Sequence, residues 1–367
     1  MTRGGVRHIY VHIPFCARIC PYCAFYKDLL DRSQTQRFCE AILRELQEAA
    51  GCERPVTIYF GGGTPTALTT AQLQFLVEGF RKQLDLSDLA EWTIEANPGS
   101  VSATKASSLL RLGINRISLG VQSWDDDLLK LLGREHDAKQ AKQSFHIFRD
   151  AGFGNVNVDL MFGLPGQTIG QWRETLKRTL ALGPEHISTY CLTYEEDTEF
   201  FLRHARGEFR QDSDAEAEFF ELTMSMLEAA GYEHYEISNY ARPGFRSAHN
   251  RAYWEGADYL GIGPSAFSTI GLTRRQNMCD FRRYSEAVLA GQSPTGSTEQ
   301  LSDEMKRTER IALSLRTDTG VAAELFDSLP EKTDEFVQRG LLRKTSGRFI
   351  LTRSGKFLAD SVAAEFV

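Results

Sequence analysis

The sequence predicts an α/β fold: a partial, TIM-like (β/α)6 barrel with a substrate-facing extension and a small C-terminal winged-helix-like α+β domain. Three observations carry this. Short β-branched or aromatic runs alternate with helix-length amphipathic stretches from residue 7 to residue 230, the pattern of parallel strands joined by crossover helices. An aromatic, glycine-rich region at 232–271 then breaks the alternation. From residue 301 onward, helices are followed by a hairpin.

Taken in order, strands are expected at 7–13, 56–60, 92–96, 116–121, 155–162 and 186–193. Helices are expected between and after them, at 35–50, 71–83, 104–112, 139–151, 171–182 and 215–230. Each strand candidate closes on a polar or glycine-rich segment. In a barrel those loops gather at the C-terminal strand ends, where chemistry is expected. Six such units suit a partial barrel better than a complete eightfold one. Further on, 303–315, 321–326 and 331–339 read as helices, and 341–352 as a hairpin turning at Ser346 and Gly347. The expected units are therefore 1–231, 232–300 and 301–367. A winged-helix outline is often associated with DNA, but shape alone warrants only a packing or partner role.

Hydrophobic residues at 42% and charged residues at 25% describe an ordinary globular chain and argue against disorder or a fibrous repeat. With 42 basic against 49 acidic residues the net charge is −7, which opposes non-specific binding to a polyanion, so no nucleic-acid partner is expected. No apolar run approaches the roughly 18 to 20 residues of a membrane helix. No charged-then-apolar leader precedes the first strand. The expectation is a cytoplasmic protein without an integral membrane segment, for which only peripheral membrane contact stays open.

Seven cysteines is an odd number. Cys39, Cys52, Cys191 and Cys279 are scattered without a repeating interval, unlike a secreted disulfide framework, and are expected to be buried structural thiols. Cys16, Cys20 and Cys23 instead crowd the segment 16–23 (CARICPYC), on the loop leaving the first strand. Three thiolates so spaced can hold three irons of a [4Fe-4S] cubane, since such clusters select soft sulfur ligands. No fourth cysteine lies nearby, so one iron would keep an open site. Zinc is the competing reading, with His8 or His12 as a fourth ligand, and three free buried thiols are the plainest one.

The spacing Cys-x3-Cys-x2-Cys after a first strand resembles the signature of radical S-adenosylmethionine (SAM) enzymes. Six segments extend the resemblance in chain order: 10–16 (YVHIPFC), 61–66 (GGGTPT), 95–98 (EANP), 120–123 (GVQS), 133–136 (GREH) and 159–166 (DLMFGLPG). Together they are similar to the oxygen-independent coproporphyrinogen III oxidase superfamily. The resemblance implies a [4Fe-4S] cluster on Cys16, Cys20 and Cys23, whose open iron takes the amino and carboxylate groups of SAM. It places Gly63, Thr64 and Pro65 nearest the amino end of the methionine moiety, and assigns Glu95, Gln122, Arg134 and Asp159 to the same cofactor. The planar fork of Arg134 suits its carboxylate, and Tyr10 and Tyr22 would flank it near the cluster. Read singly, a glycine run is as consistent with a tight turn as with backbone N–H groups approaching a ligand. Each polar residue alone is as consistent with a structural role. Their common place at barrel strand ends points to one cofactor.

The segment 249–254 (HNRAYW), followed by 259–267 (YLGIGPSAF), is similar to a string carried by HemW-type haem chaperones, relatives of the oxidase. It implies haem bound near His249, with Tyr253 and Trp254 covering a porphyrin face. A satisfied core histidine is the structural alternative. Two departures separate the chain from the oxidase pattern. Phe25 stands where the oxidase has a further cysteine, and only fifteen residues precede Cys16 where the oxidase has a longer segment. The branch so indicated implies a chaperone that binds haem and passes it to haem-accepting proteins such as respiratory haem proteins. The alternatives are a radical SAM coproporphyrinogen oxidase, or related porphyrin-modifying enzyme, and a zinc-stabilised interaction protein. No catalytic residue is assigned.

Overall fold

Six parallel strands form the centre of the computed structural model, which describes residues 5–49, 51–52, 54–326 and 330–366. They are β1 His8–Ile13, β2 Thr57–Gly62, β3 Glu91–Ala96, β4 Arg116–Gln122, β5 Val156–Phe162 and β6 His186–Cys191, paired in that order. The helices after them are α1 Thr35–Glu48, α2 Thr70–Gln83, α3 Ala103–Arg111, α4 Ala138–Asp150, α5 Ile169–Leu182 and α6 Ser213–Ala229. This is the partial (β/α)6 barrel that the alternation predicts. Residue 50, the end of the first expected helix, lies outside the described residues. Helices α2, α4 and α5 begin with reciprocal capping boxes, Thr69 with Gln72, Asp137 with Gln140 and Thr168 with Gln171. Each box satisfies first-turn N–H groups that have no partner within the helix.

The strands alternate with period two. Ile9, Val11, Ile58, Phe60, Trp92, Ile94, Ile117, Leu119, Val158 and Leu160 are fully buried in the hydrophobic core. The alternate positions carry His8, Tyr10 and His12 on β1, Tyr59 on β2, Glu95 on β3, Arg116 on β4, and Asn157 and Asp159 on β5. Barrels of this kind commonly fill their interior with Val, Ile and Leu, and a polar interior is costly unless it is hydrogen-bonded. Here it is. His186 bonds Asn157 Oδ1 and Tyr235 OH, each at 2.7 Å, and Asn157 Nδ2 donates to Ser118 Oγ and Asp159 Oδ1, also at 2.7 Å.

The segment after α6 supplies both edges of this sheet. Glu233–Glu236 and Asn239–Ala241 add antiparallel strands beyond β6, and Leu260–Ile262 adds a parallel strand beside β1, which makes nine strands in all. Between them, the short helix Ala248–Trp254 lies against the N-terminal strand ends and forms a floor. A separate antiparallel sheet joins Phe267–Ile270, Thr273–Asn277 and Thr295–Gln300.

At the C-terminus, helices Asp303–Leu315 and Pro330–Gln338 pack with strands Leu342–Thr345 and Arg348–Leu351 around a core containing Ile311, Leu315, Phe326, Phe336 and Phe349. That arrangement is winged-helix-like. Ser346 and Gly347 turn the hairpin with φ of 49° and 72°, the left-handed pair a tight two-residue connection requires. The expected helix at 321–326 is corrected. Val321 and Ala322 pair with Phe349 and Arg348 as a third strand, and only Ala323–Phe326 coils, as a 3-10 turn. The β-branched, fully buried Val321 fits the pleat. Among the described residues, no helix is long and apolar enough to cross a membrane.

Candidate functional site

The loop carrying Cys16, Cys20 and Cys23 leaves β1 and is pinned at its base. Phe15–Cys16 pairs in parallel with Asp28–Leu29, and Leu30 N donates to Cys16 O at 2.9 Å. Phe15, fully buried, stands edge-on to Phe38 and Phe281 with ring centroids 4.9 and 5.2 Å away. Cys23 N donates to Cys20 O at 3.2 Å, folding the last two cysteines into a turn. All three thiols are unpaired and partly exposed. Of the other four, Cys39 and Cys52 are buried as expected and Cys191 is half-buried. Cys279 is exposed, which corrects its reading as a core thiol.

A chain of side chains links two of the cluster cysteines. Thr64 Oγ1 donates toward Cys16 Sγ at 3.7 Å, and Asn97 Nδ2 donates to Thr64 Oγ1 at 2.8 Å. Asn97 Oδ1 accepts from Arg134 Nη2 at 2.6 Å, while Arg134 Nη1 reaches Cys20 Sγ at 3.7 Å. Arg134 Nη2 also donates to Gly120 O at 2.8 Å, and its buried Nε has no partner among the described residues. Burial pushes the Cys16 thiol up to about 11 and raises that of Cys23, while the Thr64 hydroxyl pulls Cys16 the other way. Thiolates in such a place need a compensating cation, which coordinated iron supplies. Donors aimed at the sulfurs are also the contacts that tune iron–sulfur clusters. The residues present fit a three-cysteine cluster.

They fit zinc less well. His12 is tied at both ring nitrogens, Nδ1 to Tyr10 OH at 3.0 Å and Nε2 to Tyr26 O at 2.8 Å. His8 bonds Thr57 Oγ1 at 2.9 Å, at the other end of β1. Among the described residues, no three His, Cys, Asp or Glu side chains converge on one ion position. Thiolates that each take a different iron of a cubane need not do so.

The glycine run serves the packing of this loop. Gly62 N donates to Glu95 Oε2 at 3.1 Å, Gly63 N to Ile13 O at 2.9 Å and Thr64 N to Phe15 O at 2.8 Å, so these N–H groups are spent inside the protein. The glycines are needed for close packing. A Cβ on Gly62 (φ 109°) would sit 2.6 Å from the His12 ring, and one on Gly63 would sit 2.5 Å from the Pro14 carbonyl. An ammonium group near Gly63, Thr64 and Pro65 would in any case look to acceptors rather than N–H donors.

Of the remaining expected residues, Glu95 and Gln122 stand at the C-terminal ends of β3 and β4. Asp159 is instead the middle residue of β5, inside the barrel rather than at the strand end where it was expected, and Tyr10 lies midway along β1. Glu95 Oε1 accepts from Tyr59 OH at 2.9 Å, and burial, opposed by that bond, pushes its carboxyl up to about 7. Asp159 accepts from Ser118 Oγ at 2.9 Å and from Asn157, and burial raises it too. Gln122 ends β4 at a bulge with φ 67°, a conformation that non-glycine residues hold only under constraint and that re-aims a side chain. A Cβ on Gly120 would stand 3.0 Å from Gln122 Nε2 and 3.1 Å from Asn97 Oδ1, so these groups and Arg134 converge. Tyr10 stacks on Tyr59 with 6.1 Å between centroids, and Tyr22 packs near Phe200 at 6.2 Å on the cluster-loop side. Asn97 was not singled out from the sequence, although the segment 95–98 contains it.

His249 is not brought to this cleft. It is 6% exposed beneath the barrel, with Nδ1 2.8 Å from Thr57 Oγ1 and its ring stacked on Tyr59 at 5.1 Å. Burial takes its pKa down to about 3, so the imidazole is neutral. Its helix is held by Glu91, whose carboxylate accepts Ala248 N at 2.8 Å and His249 N at 3.2 Å. In this arrangement the imidazole is engaged by Thr57 and Tyr59, the satisfied core histidine that was the structural alternative. Tyr253 meets Tyr259 at a tilt of 37° with centroids 4.7 Å apart and stays 41% exposed, while Arg316 lies over the Trp254 ring at 5.0 Å.

Comparison with known proteins identifies the family and the fold. The radical SAM superfamily model matches residues 10–179. The chain is 36% identical over 376 residues to the "Heme chaperone HemW" of Bacillus subtilis, covering 99% of both chains. It is 34% identical over 380 residues to the protein of the same description from Escherichia coli, covering 98% of this chain and 97% of that one. Among solved structures, the radical SAM enzyme coproporphyrinogen III oxidase (HemN) from Escherichia coli superposes with a TM-score of 0.84 at 24% identity, covering 100% of this chain and 91% of the other. That likeness shows the fold.

Proposed function

The chain belongs to the HemW family of haem chaperones within the radical SAM superfamily, and on that footing we propose that it binds haem and a SAM-ligated [4Fe-4S] cluster and delivers haem to acceptor haem proteins. Superfamily membership implies the cluster and SAM. The observation that carries the assignment of residues is the hydrogen-bonded run from Cys16 through Thr64, Asn97 and Arg134 to Cys20.

In this reading Cys16, Cys20 and Cys23 hold three irons. When bound, the reduced cluster supplies the electron that cleaves the SAM sulfonium. Arg134, oriented by Asn97 and Gly120 O, offers its fork to the cofactor carboxylate. Glu95 accepts from ribose hydroxyls, Gln122 and Asp159 complete the polar wall, and Tyr10 and Tyr22 close the site from the barrel and from the loop. Gly63, Thr64 and Pro65 shape the edge that meets the amino group. His249 holds the barrel floor. The acceptors we propose are cytoplasm-facing haem proteins of the respiratory kind, with no nucleic-acid partner, and the units are barrel 1–231, extension 232–300 and the winged-helix-like packing or partner domain 301–367.

The test is anaerobic reconstitution followed by two assays on one sample. Iron and sulfide near four each per chain, with haem passing to an apo-acceptor, support the proposal. Zinc without sulfide excludes the cluster, and stoichiometric conversion of coproporphyrinogen to protoporphyrinogen with reductant and SAM makes the chain an oxidase.

A further inference from the structure

Beside the cluster loop, outside the barrel interior, lies a cavity of ≈ 590 Å³, within the roughly 300 to 1,000 Å³ of small-molecule sites. It meets the expected cofactor residues only at Cys20, Thr64 and Arg134, and reaches away from Glu95, Gln122 and Asp159. Four cations line it, Arg18, Arg32, Lys105 and Arg134, against one carboxylate, Glu135. In a chain of net charge −7 that is a local reversal of sign.

Three of these cations lack a counter-ion. Arg18 and Arg32 are exposed, and among the described residues neither they nor Lys105 forms an ion pair. Lys105 is half-buried and donates to two carbonyl oxygens, Thr66 O at 2.7 Å and Leu68 O at 2.8 Å, which leaves one of its three N–H groups free. Burial and the neighbouring Arg32 charge pull it below the usual lysine range. Like charges crowded on a concave wall without neutralisation attract an anion. Leu30, Leu68 and Pro98 supply apolar wall between them.

Building on the haem-binding reading above, we propose that this cavity seats the two propionate carboxylates of haem, with Arg18, Arg32 and Lys105 as their partners. Haem then lies next to the Cys20 side of the cluster loop and borders the cofactor site along Cys20, Thr64 and Arg134. It also lies at the opposite end of the strands from His249.

The experiment is an absorbance titration of the reconstituted protein with haem and with haem dimethyl ester. It compares the wild type, the double variant Arg18→Gln/Arg32→Gln, and Lys105→Met. Both arginines are exposed and unpaired, so the double variant keeps the fold, and its iron content and SAM affinity stay at the wild-type level. The wild type binds the ester roughly tenfold more weakly than haem, and the double variant loses roughly tenfold for haem while its affinity for the ester is unchanged. Lys105→Met lowers haem affinity in the same direction. Haem affinity of the double variant within about twofold of wild type, or equal wild-type affinity for haem and ester, overturns the proposal. A wild type that takes up no haem overturns the chaperone reading itself, a different result from a variant that binds unchanged.

Discussion

Replacing Glu95 by glutamine should trade cofactor affinity for stability at alkaline pH. In the folded protein burial raises the Glu95 carboxyl from 4.5 to about 7. At about 1.4 kcal/mol per pH unit that shift amounts to about 3 kcal/mol, and the side of Glu95 open to the cleft reduces it to about 2 kcal/mol through solvent screening. Because the folded value is raised, the contribution is present in full below pH 4.5 and is lost as pH rises through 7. Glutamine cannot ionise, so it escapes that loss. Its Oε1 still accepts from Tyr59, but its amide faces the Gly62 N–H, donor against donor, at a constant cost of about 1 kcal/mol. The variant should therefore be about 1 kcal/mol less stable than wild type at pH 5 and about 1 kcal/mol more stable at pH 8.5. The assay is urea denaturation of cluster-free protein across that range, paired with SAM binding to reconstituted protein, where the variant should bind roughly tenfold more weakly. A stability difference that does not change with pH, or unaltered SAM affinity, would refute the reasoning.

Four other substitutions probe separate parts of the structure. Gly62→Ala forces a side chain into the His12 ring at a left-handed residue, so it should cost more than about 2 kcal/mol and lower the iron content on reconstitution. Arg134→Lys keeps a charge but loses the fork that spans Asn97 Oδ1, Gly120 O and Cys20 Sγ; SAM affinity should fall at least roughly tenfold while the melting temperature moves little. Glu91→Ala leaves the N–H groups of Ala248 and His249 without their acceptor and removes a carboxylate near the buried Arg116, which should cost about 3 to 5 kcal/mol, readable by thermal denaturation. His249→Ala should lower stability in the same assay and leave the haem absorption spectrum unchanged.

What could be read before the structure was local. Short β-branched or aromatic runs between helix-length amphipathic stretches located the six barrel strands, and the cluster cysteines stood out because they lie within one loop. The edge strands at 233–241 and 260–262 were not legible as such: they are short, and what makes them strands is pairing with β6 and β1 far away in the chain. The run at 321–326 was ambiguous because a short apolar segment suits helix and strand alike until Phe349 and Arg348 arrive opposite it. Asn97 escaped notice for a similar reason. Its role exists only once Thr64 and Arg134, 33 and 37 positions away, are brought to its two ends. A haem role for His249 came only from the family resemblance, while its contact with Thr57, 192 positions earlier, could not be read locally.

Haem transfer is the most direct measurement of what the chain does. Haem-loaded, anaerobically reconstituted protein is mixed with an apo-haem protein in excess, and the Soret band of each is followed after separation. A chaperone gives up its haem to the acceptor and leaves coproporphyrinogen unchanged when SAM and reductant are supplied. Haem that stays behind, together with protoporphyrinogen formed in proportion to SAM consumed, would contradict the assignment.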